Sequence, residues 1–114
     1  MDDCVFCKIV AGEIPADILF QDEGLIAFHD INPLAPTHLL IIPKKHISSL
    51  AELSEAESSL IGDMVKTANQ LAKSERIAED GYRLVINCGK QGGQLVPHLH
   101  MHLLGGRQLS GALG

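Results

Sequence analysis

The chain has 114 residues, a net charge of −5 and an apolar content of 46%. That length suits one domain with a real but modest core. The acidic balance argues against nonspecific nucleic-acid binding, and no apolar run approaches the roughly 20 residues of a membrane span.

The start, Met1-Asp2-Asp3, lacks the basic and apolar regions of a secretory signal. Three cysteines form no even disulfide framework. The expectation is one domain over 1–114, cytoplasmic, with reduced thiols and neither nucleic-acid nor membrane partners.

Asp2 and Asp3 can cap a helix over residues 4–12. Val5 and Ile9, with Phe6 beside them, would face inward, and Gly12 and Pro15 would end it. Cys4 and Cys7 stand one turn apart. Two small buried thiols and half of a zinc site are both compatible with that spacing, because zinc needs two further ligands.

Residues 16–21 and 25–30 read as strands around an Asp22-Glu23-Gly24 turn. Pro33 and Pro36 make 31–36 a loop. Residues 37–43 form a third strand. Leu39, Leu40, Ile41 and Ile42 are apolar on both of its faces, which predicts a central place in the sheet. His38 opens that strand, and Lys44, Lys45 and His46 leave it.

Ser54 and Glu57 make a capping box that opens a long helix. Its buried stripe is Leu60, Ile61, Met64, Val65, Ala68, Leu71 and Ala72, running to about Arg76. Residues 82–88 are a fourth strand. Residues 89–94 are a glycine-rich loop whose backbone could approach a ligand closely. The order of elements gives an α+β domain with five strands in a mostly antiparallel sheet, the helices segregated.

The most informative stretch is 96–104, where His98, His100 and His102 alternate with Leu99, Met101 and Leu103. On a strand, the imidazoles share one face and the aliphatic side chains the other. On a helix the three would fan over about 400 degrees and form no common site. Unmatched imidazoles are costly to bury, so such a row is hydrogen-bonded, metallated or part of a cleft. A catalytic metal triad usually brings supporting carboxylates, and none lies near in sequence. Metal-free phosphoryl or nucleotidyl transfer fits best. A neutral imidazole is a good nucleophile, and protonated neighbours could hold phosphate charge. Amides of the glycine loop, Asn87 and Gln94 would add donors.

These residues carry a family resemblance. The alternating histidines of 98–104, the Pro36-Thr37-His38 and Lys44-Lys45-His46 blocks, Gly92-Gly93-Gln94 and Gly105-Gly106-Arg107 resemble the Hint branch of the histidine-triad (HIT) superfamily over nearly the whole chain. The resemblance implies a homodimer whose two five-stranded sheets join into one of ten strands. It implies hydrolysis of purine nucleoside phosphoramidates, of the AMP-amine and aminoacyl-adenylate type, to a nucleoside monophosphate and an amine.

By motif position, His100 would be the nucleophile and His102 would contact phosphate oxygens. His38 and His98 would complete the network. Asn87, Gly93 and Gln94 would line the phosphate, Phe6, Ile9, Phe28 and Ile31 would enclose the purine, and Asp30 would bind the ribose hydroxyls. Some relatives bind structural zinc, and the matching set here is Cys4, Cys7, His46 and His98. A bound zinc would take His98 out of proton transfer. Cys88 is expected to be a buried thiol. Dinucleoside polyphosphate hydrolysis and a non-catalytic nucleotide-binding or scaffold role are the alternatives.

Two positions depart from the branch. Leu95 stands where many members carry a serine that donates to the phosphate, and leucine cannot donate. Pro97 precedes the triad and lacks an N–H, so it should lie at an edge or a strand's first residue.

Overall fold

The computed structural model describes residues 3–114. The elements are α1 (Val5–Val10), β1 (Ile18–Gln21), β2 (Leu25–His29), β3 (Thr37–Pro43), α2 (Ser59–Ser74), β4 (Tyr82–Val85) and β5 (Met101–Gly105). The five strands form one sheet in the order β1-β2-β3-β5-β4, every neighbouring pair antiparallel. This is the α+β architecture expected from the order of apolar segments.

All seven residues of β3 are buried, as a central strand covered on both faces requires. Its alternation separates two cores. Leu39 and Ile41 join Met101, Leu103, Met64 and Ala68 beneath α2. Leu40 and Ile42 join Ile26, Phe28, Phe6 and Ile9 beneath α1. The two helices therefore lie against opposite faces. In register, Leu40 pairs with both Phe28 and His102, so these three form a row across the α1 face. The histidine face and the α1 face are one surface.

Several local expectations are corrected. The cap of α1 is the Cys4 thiol, which accepts from the Cys7 N–H at 3.4 Å. The Asp2 part of the expected cap lies outside the described residues. Val5 does not point inward. It is 38% exposed, while Phe6 and Ile9 are buried. The Ser54–Glu57 box forms, but it caps a 3-10 turn over Glu55–Glu57, and α2 begins only at Ser59. Thr67, outside the expected stripe, is also buried on α2.

The largest correction concerns the histidine stretch. It is not one strand from 96, because β5 starts at Met101. Pro97 has no N–H to give a ladder. The next two amides turn elsewhere, His98 N–H to the Val96 carbonyl (2.8 Å) and Leu99 N–H to the Ile47 carbonyl (2.7 Å). Residues 96–98 bend instead. The alternation survives the bend, since Leu99, Met101 and Leu103 all enter the core beneath α2. β4 likewise stops at Val85, paired with His102, where its partner strand is about to run out. Among the described residues no helix is long and apolar enough to cross a membrane.

Candidate functional site

The hydrogen-bond partners of its imidazoles determine where the site's protons lie. His100 Nδ1 lies 2.7 Å from the His98 carbonyl oxygen. A carbonyl only accepts, so Nδ1 carries the proton and Nε2 keeps its lone pair. His100 is buried, and the edge-to-face ring of Phe6 packs on it with centroids 5.1 Å apart. The ring is therefore held in one orientation with one nucleophilic nitrogen.

His38 and His102 form a second, directional pair. The Leu34 N–H donates to His38 Nδ1 at 3.1 Å. His38 therefore carries its proton on Nε2, which lies 2.9 Å from His102 Nδ1 and 3.4 Å from Asp30 Oδ2. Donation to His102 Nδ1 leaves the far nitrogen of His102, Nε2, as a donor. Burial pushes the His102 pKa down to about 4, with the His100 and His38 rings adding to the effect. Burial lowers His38 as well, opposed by Asp30. Both shifts favour uncharged rings in the free protein, with the His38 Nε2–H and the His102 Nε2–H as donors.

Four metal-type ligands converge beside this row. Cys4 Sγ is 3.4 Å and Cys7 Sγ 3.5 Å from His98 Nδ1, and Cys7 Sγ is 3.1 Å from His46 Nδ1. The ligand atoms of all four residues lie within 4.8 Å of one another. A tetrahedral zinc with ordinary Zn–S and Zn–N bonds puts S and N about 3.6 Å apart, so the spacing suits an ion at the centre. His98 Nε2 donates to the Pro43 carbonyl at 2.8 Å, which turns the Nδ1 lone pair toward both sulfurs. Burial, and then the neighbouring Cys4, raises the Cys7 thiol pKa, so the protein alone favours a neutral Cys7 thiol. A bound cation would reverse that preference. This cluster could hold a metal ion.

Asp30, His38 and His102 also bring ligand atoms within 4.8 Å of one another. The Leu34 amide works against a metal there. It fixes the proton of His38 on Nε2, the nitrogen that would have to coordinate.

The residues expected around a nucleotide divide into three groups. Phe6, Ile9 and Phe28 are buried in one cluster, with the Phe6 and Phe28 rings 5.7 Å apart. Ile31 lies on the loop beyond, 90% exposed. Asp30 Oδ1 accepts from the Asn32 N–H at 2.8 Å, which orients the carboxylate beside His38.

The third group is the glycine loop, where the phosphate donors shrink in number. Gln94 Nε2 donates to the carbonyls of Ser48 (2.8 Å) and Val96 (2.9 Å), and its Oε1 accepts from the Gly89 N–H (2.9 Å). Both amide protons are spent, so the expected donation to phosphate is corrected to a structural role. Asn87 gives one proton to the Gly92 carbonyl and keeps the other. Gly92 is needed for closeness to the protein itself, since a Cβ there would meet the Cys88 carbonyl at 2.3 Å. Gly93, at φ +82°, sits over the Asn87 amide. Cys88 is half-buried and Leu95 is 91% exposed.

A hollow of about 820 Å³ lies elsewhere, between the C-terminal tail and the start of β4. Arg76, Arg83 and Arg107 line it, but no histidine or cysteine does, so it offers no imidazole nucleophile. The sequence did not point to Leu34 and Pro43. Their contribution is backbone, and only the fold brings those groups to His38 and His98.

The HIT domain family pattern matches residues 11–109, which leaves Cys4 and Cys7 ahead of the matched segment. The chain is 49% identical to a purine nucleoside phosphoramidase of Escherichia coli K12, over 108 residues covering 95% of this chain and 91% of that protein. Its fold is similar to that of a HIT family hydrolase from Legionella pneumophila, with a TM-score of 0.95 and 51% identity, covering 98% of this chain and 100% of that one. It is similar also to a histidine triad protein from Clostridium difficile, with a TM-score of 0.96 and 41% identity over 99% and 98% of the two chains.

Proposed function

The chain belongs to the HIT domain family, and from that membership we propose that it hydrolyses the P–N bond of purine nucleoside phosphoramidates through a nucleotide bonded to His100. The observation that carries this reading is the His100 Nδ1 proton held on the His98 carbonyl, which leaves Nε2 free to attack.

In the first step His100 Nε2 bonds to phosphorus. The P–N bond breaks, and the amine leaves with its electron pair and takes up a proton from solvent. Water then attacks phosphorus and gives up a proton to solvent, the bond to His100 breaks, and the nucleoside monophosphate departs with the water oxygen. The His102 Nε2–H and the remaining Asn87 amide proton would meet phosphoryl oxygens as charge develops. Asp30 suits two vicinal ribose hydroxyls, and Phe6, Ile9, Phe28 and Ile31 give a purine apolar surroundings.

Zinc is our reading of the Cys4, Cys7, His46 and His98 cluster. When bound it would supply a fixed positive centre that holds thiolates and ties three chain segments together. It would have no part at phosphorus. His98 then serves through its carbonyl rather than as an acid or base. A reducing, cytoplasmic setting would keep both thiols available.

A homodimer is part of the same reading, and so is a single folding unit over 1–114. β4 is an open sheet edge, whereas the other edge, β1, carries a register irregularity between Ile18 and Phe20 that spoils pairing. Two copies would therefore join through β4.

The test is His100→Ala. Hydrolysis of adenosine 5'-monophosphoramidate should fall by at least about a thousandfold while AMP still binds. Rapid quench of the wild type with labelled substrate should recover nucleotide on His100. A variant that turns over normally would end the proposal.

A further inference from the structure

We propose that Arg107 is a positioning residue for the histidine relay, holding Leu34 so that the Leu34 amide keeps His38 in its Nε2–H tautomer. This rests on the reading of the histidine row given above and extends it to a residue outside the row.

Leu34 has little to hold it. It lies in the loop between β2 and β3, and its side chain is 70% exposed, so burial does not anchor it. Yet its N–H occupies the His38 Nδ1 lone pair, and with the Asp30 carboxylate 3.4 Å from Nε2 it favours the proton on Nε2. The anchor comes from the chain end. Arg107 Nη2 donates to the Leu34 carbonyl at 2.8 Å, and Nη1 donates to the Gln108 carbonyl at 3.0 Å. Among the described residues no carboxylate pairs with Arg107, so its donors serve these carbonyls.

The preceding residue shows why the tail reaches that point. Gly106 has φ +95°, and a Cβ there would come within 2.9 Å of Pro36 Cβ. A larger residue would lift the tail off the loop. Consecutive residues 106 and 107 thus clamp Pro36 and Leu34, on either side of Ala35. The clamp and the histidines are joined by one strand pair, because Thr37 faces Gly105 and Leu40 faces His102 across β3 and β5.

The tautomer matters because the relay is directional. If the Leu34 N–H moves away, His38 Nδ1 can take the proton. Nε2 then presents a lone pair to the His102 Nδ1 lone pair, 2.9 Å away. Relief of that repulsion requires His102 to reverse too. Its far nitrogen then shows a lone pair, not a proton, to a phosphoryl oxygen. A contact at the chain end is converted in this way into the presence or absence of one donor at the reacting group.

The test uses full-length protein labelled with nitrogen-15 in histidine. Long-range proton–nitrogen spectra without substrate should show His38 protonated on Nε2 alone in the wild type. Arg107→Ala should give a mixed or reversed pattern, with kcat/KM lower by about tenfold to a hundredfold. Arg107→Lys, which keeps one donor, should recover part of both. Arg83→Ala removes a different arginine contact to the tail, at the Ser110 carbonyl, and should leave the His38 pattern intact. Leu34→Pro deletes the N–H while keeping Arg107 and should reproduce the Arg107→Ala spectrum. If Arg107→Ala fails to fold, Leu34→Pro and Arg107→Lys decide. An unchanged His38 pattern in either deleting variant, or the same change in Arg83→Ala, overturns the proposal. Because the tautomer is read without substrate, a wild type inactive on phosphoramidates would remove the functional reading and leave this result standing.

Discussion

Removing the zinc proposed for the Cys4, Cys7, His46 and His98 cluster should destabilise the fold by several kcal/mol. Cys7 and His46 are 39 positions apart, and Cys4 and His98 are 94 apart. A tether at those residues closes one loop of about 40 residues and a further one of about 50. Chain-entropy reasoning gives about 4 kcal/mol for each closure, an upper bound of about 8 kcal/mol. A reversible tether and a compact denatured state reduce this, and about 3–4 kcal/mol is a reasonable expectation. Unfolding entropy of about 2.1 cal/mol/K per residue then translates to a fall in Tm of about 12–17 °C.

The assay is thermal unfolding at fixed protein concentration, zinc-loaded and after chelation, with metal content measured on the same samples. Cys7→Ser should melt where the chelated wild type melts. α1 should exchange its amide hydrogens faster in both, since a six-residue helix has little stability of its own. Protein that neither holds nor takes up zinc would refute this reasoning. So would metal-free protein that melts within about 2 °C of the loaded form.

Acid should destabilise the fold through His102. Its folded pKa of about 4 lies below the ordinary 6.5, so the unfolded chain binds more protons between those values. The stabilisation is present above about pH 6.5 and is lost as pH falls toward 4. The shift corresponds to about 3.4 kcal/mol, reduced to about 1–2 kcal/mol for a half-buried ring, and His102→Gln should shrink the loss seen in urea titrations by that amount. An identical loss in the variant would exclude His102 as the source. Leu95→Ser should raise phosphoramidate turnover by up to about tenfold, the worth of one added hydrogen bond, and steady-state rates that stay level or fall would count against it. Gln94→Ala should cost about 1–3 kcal/mol, because the Ser48 carbonyl and the Gly89 N–H lose their partner, while the Val96 carbonyl keeps the His98 N–H. Amide exchange at Gly89 should accelerate in that variant, and unchanged protection there would mean that the loop is held by other contacts.

Periodicity alone carried much of this molecule. The apolar run at 39–42 marked a central strand, the stripe from Leu60 to Ala72 marked the helix beneath it, and the alternation of His98, His100 and His102 with Leu99, Met101 and Leu103 separated the imidazole face from the core face. Such patterns are legible because they repeat with the backbone and need no distant partner. Family resemblance, not spacing, added His46 and His98 to the two cysteines.

Other features required the folded chain. Pro97 and the two amides after it delayed the strand to Met101, a result set by the distant Ile47 carbonyl as much as by local preference. Gln94 reads as a phosphate donor in sequence, yet its amide is consumed by Ser48 and Val96. Which nitrogen of His98, His100 and His38 holds a proton was decided by the Pro43 and His98 carbonyls and the Leu34 amide. Any residue offers those same backbone groups, so no sequence pattern reveals them. Only tertiary packing brings them within hydrogen-bonding distance of a particular ring, and the protons follow from that contact.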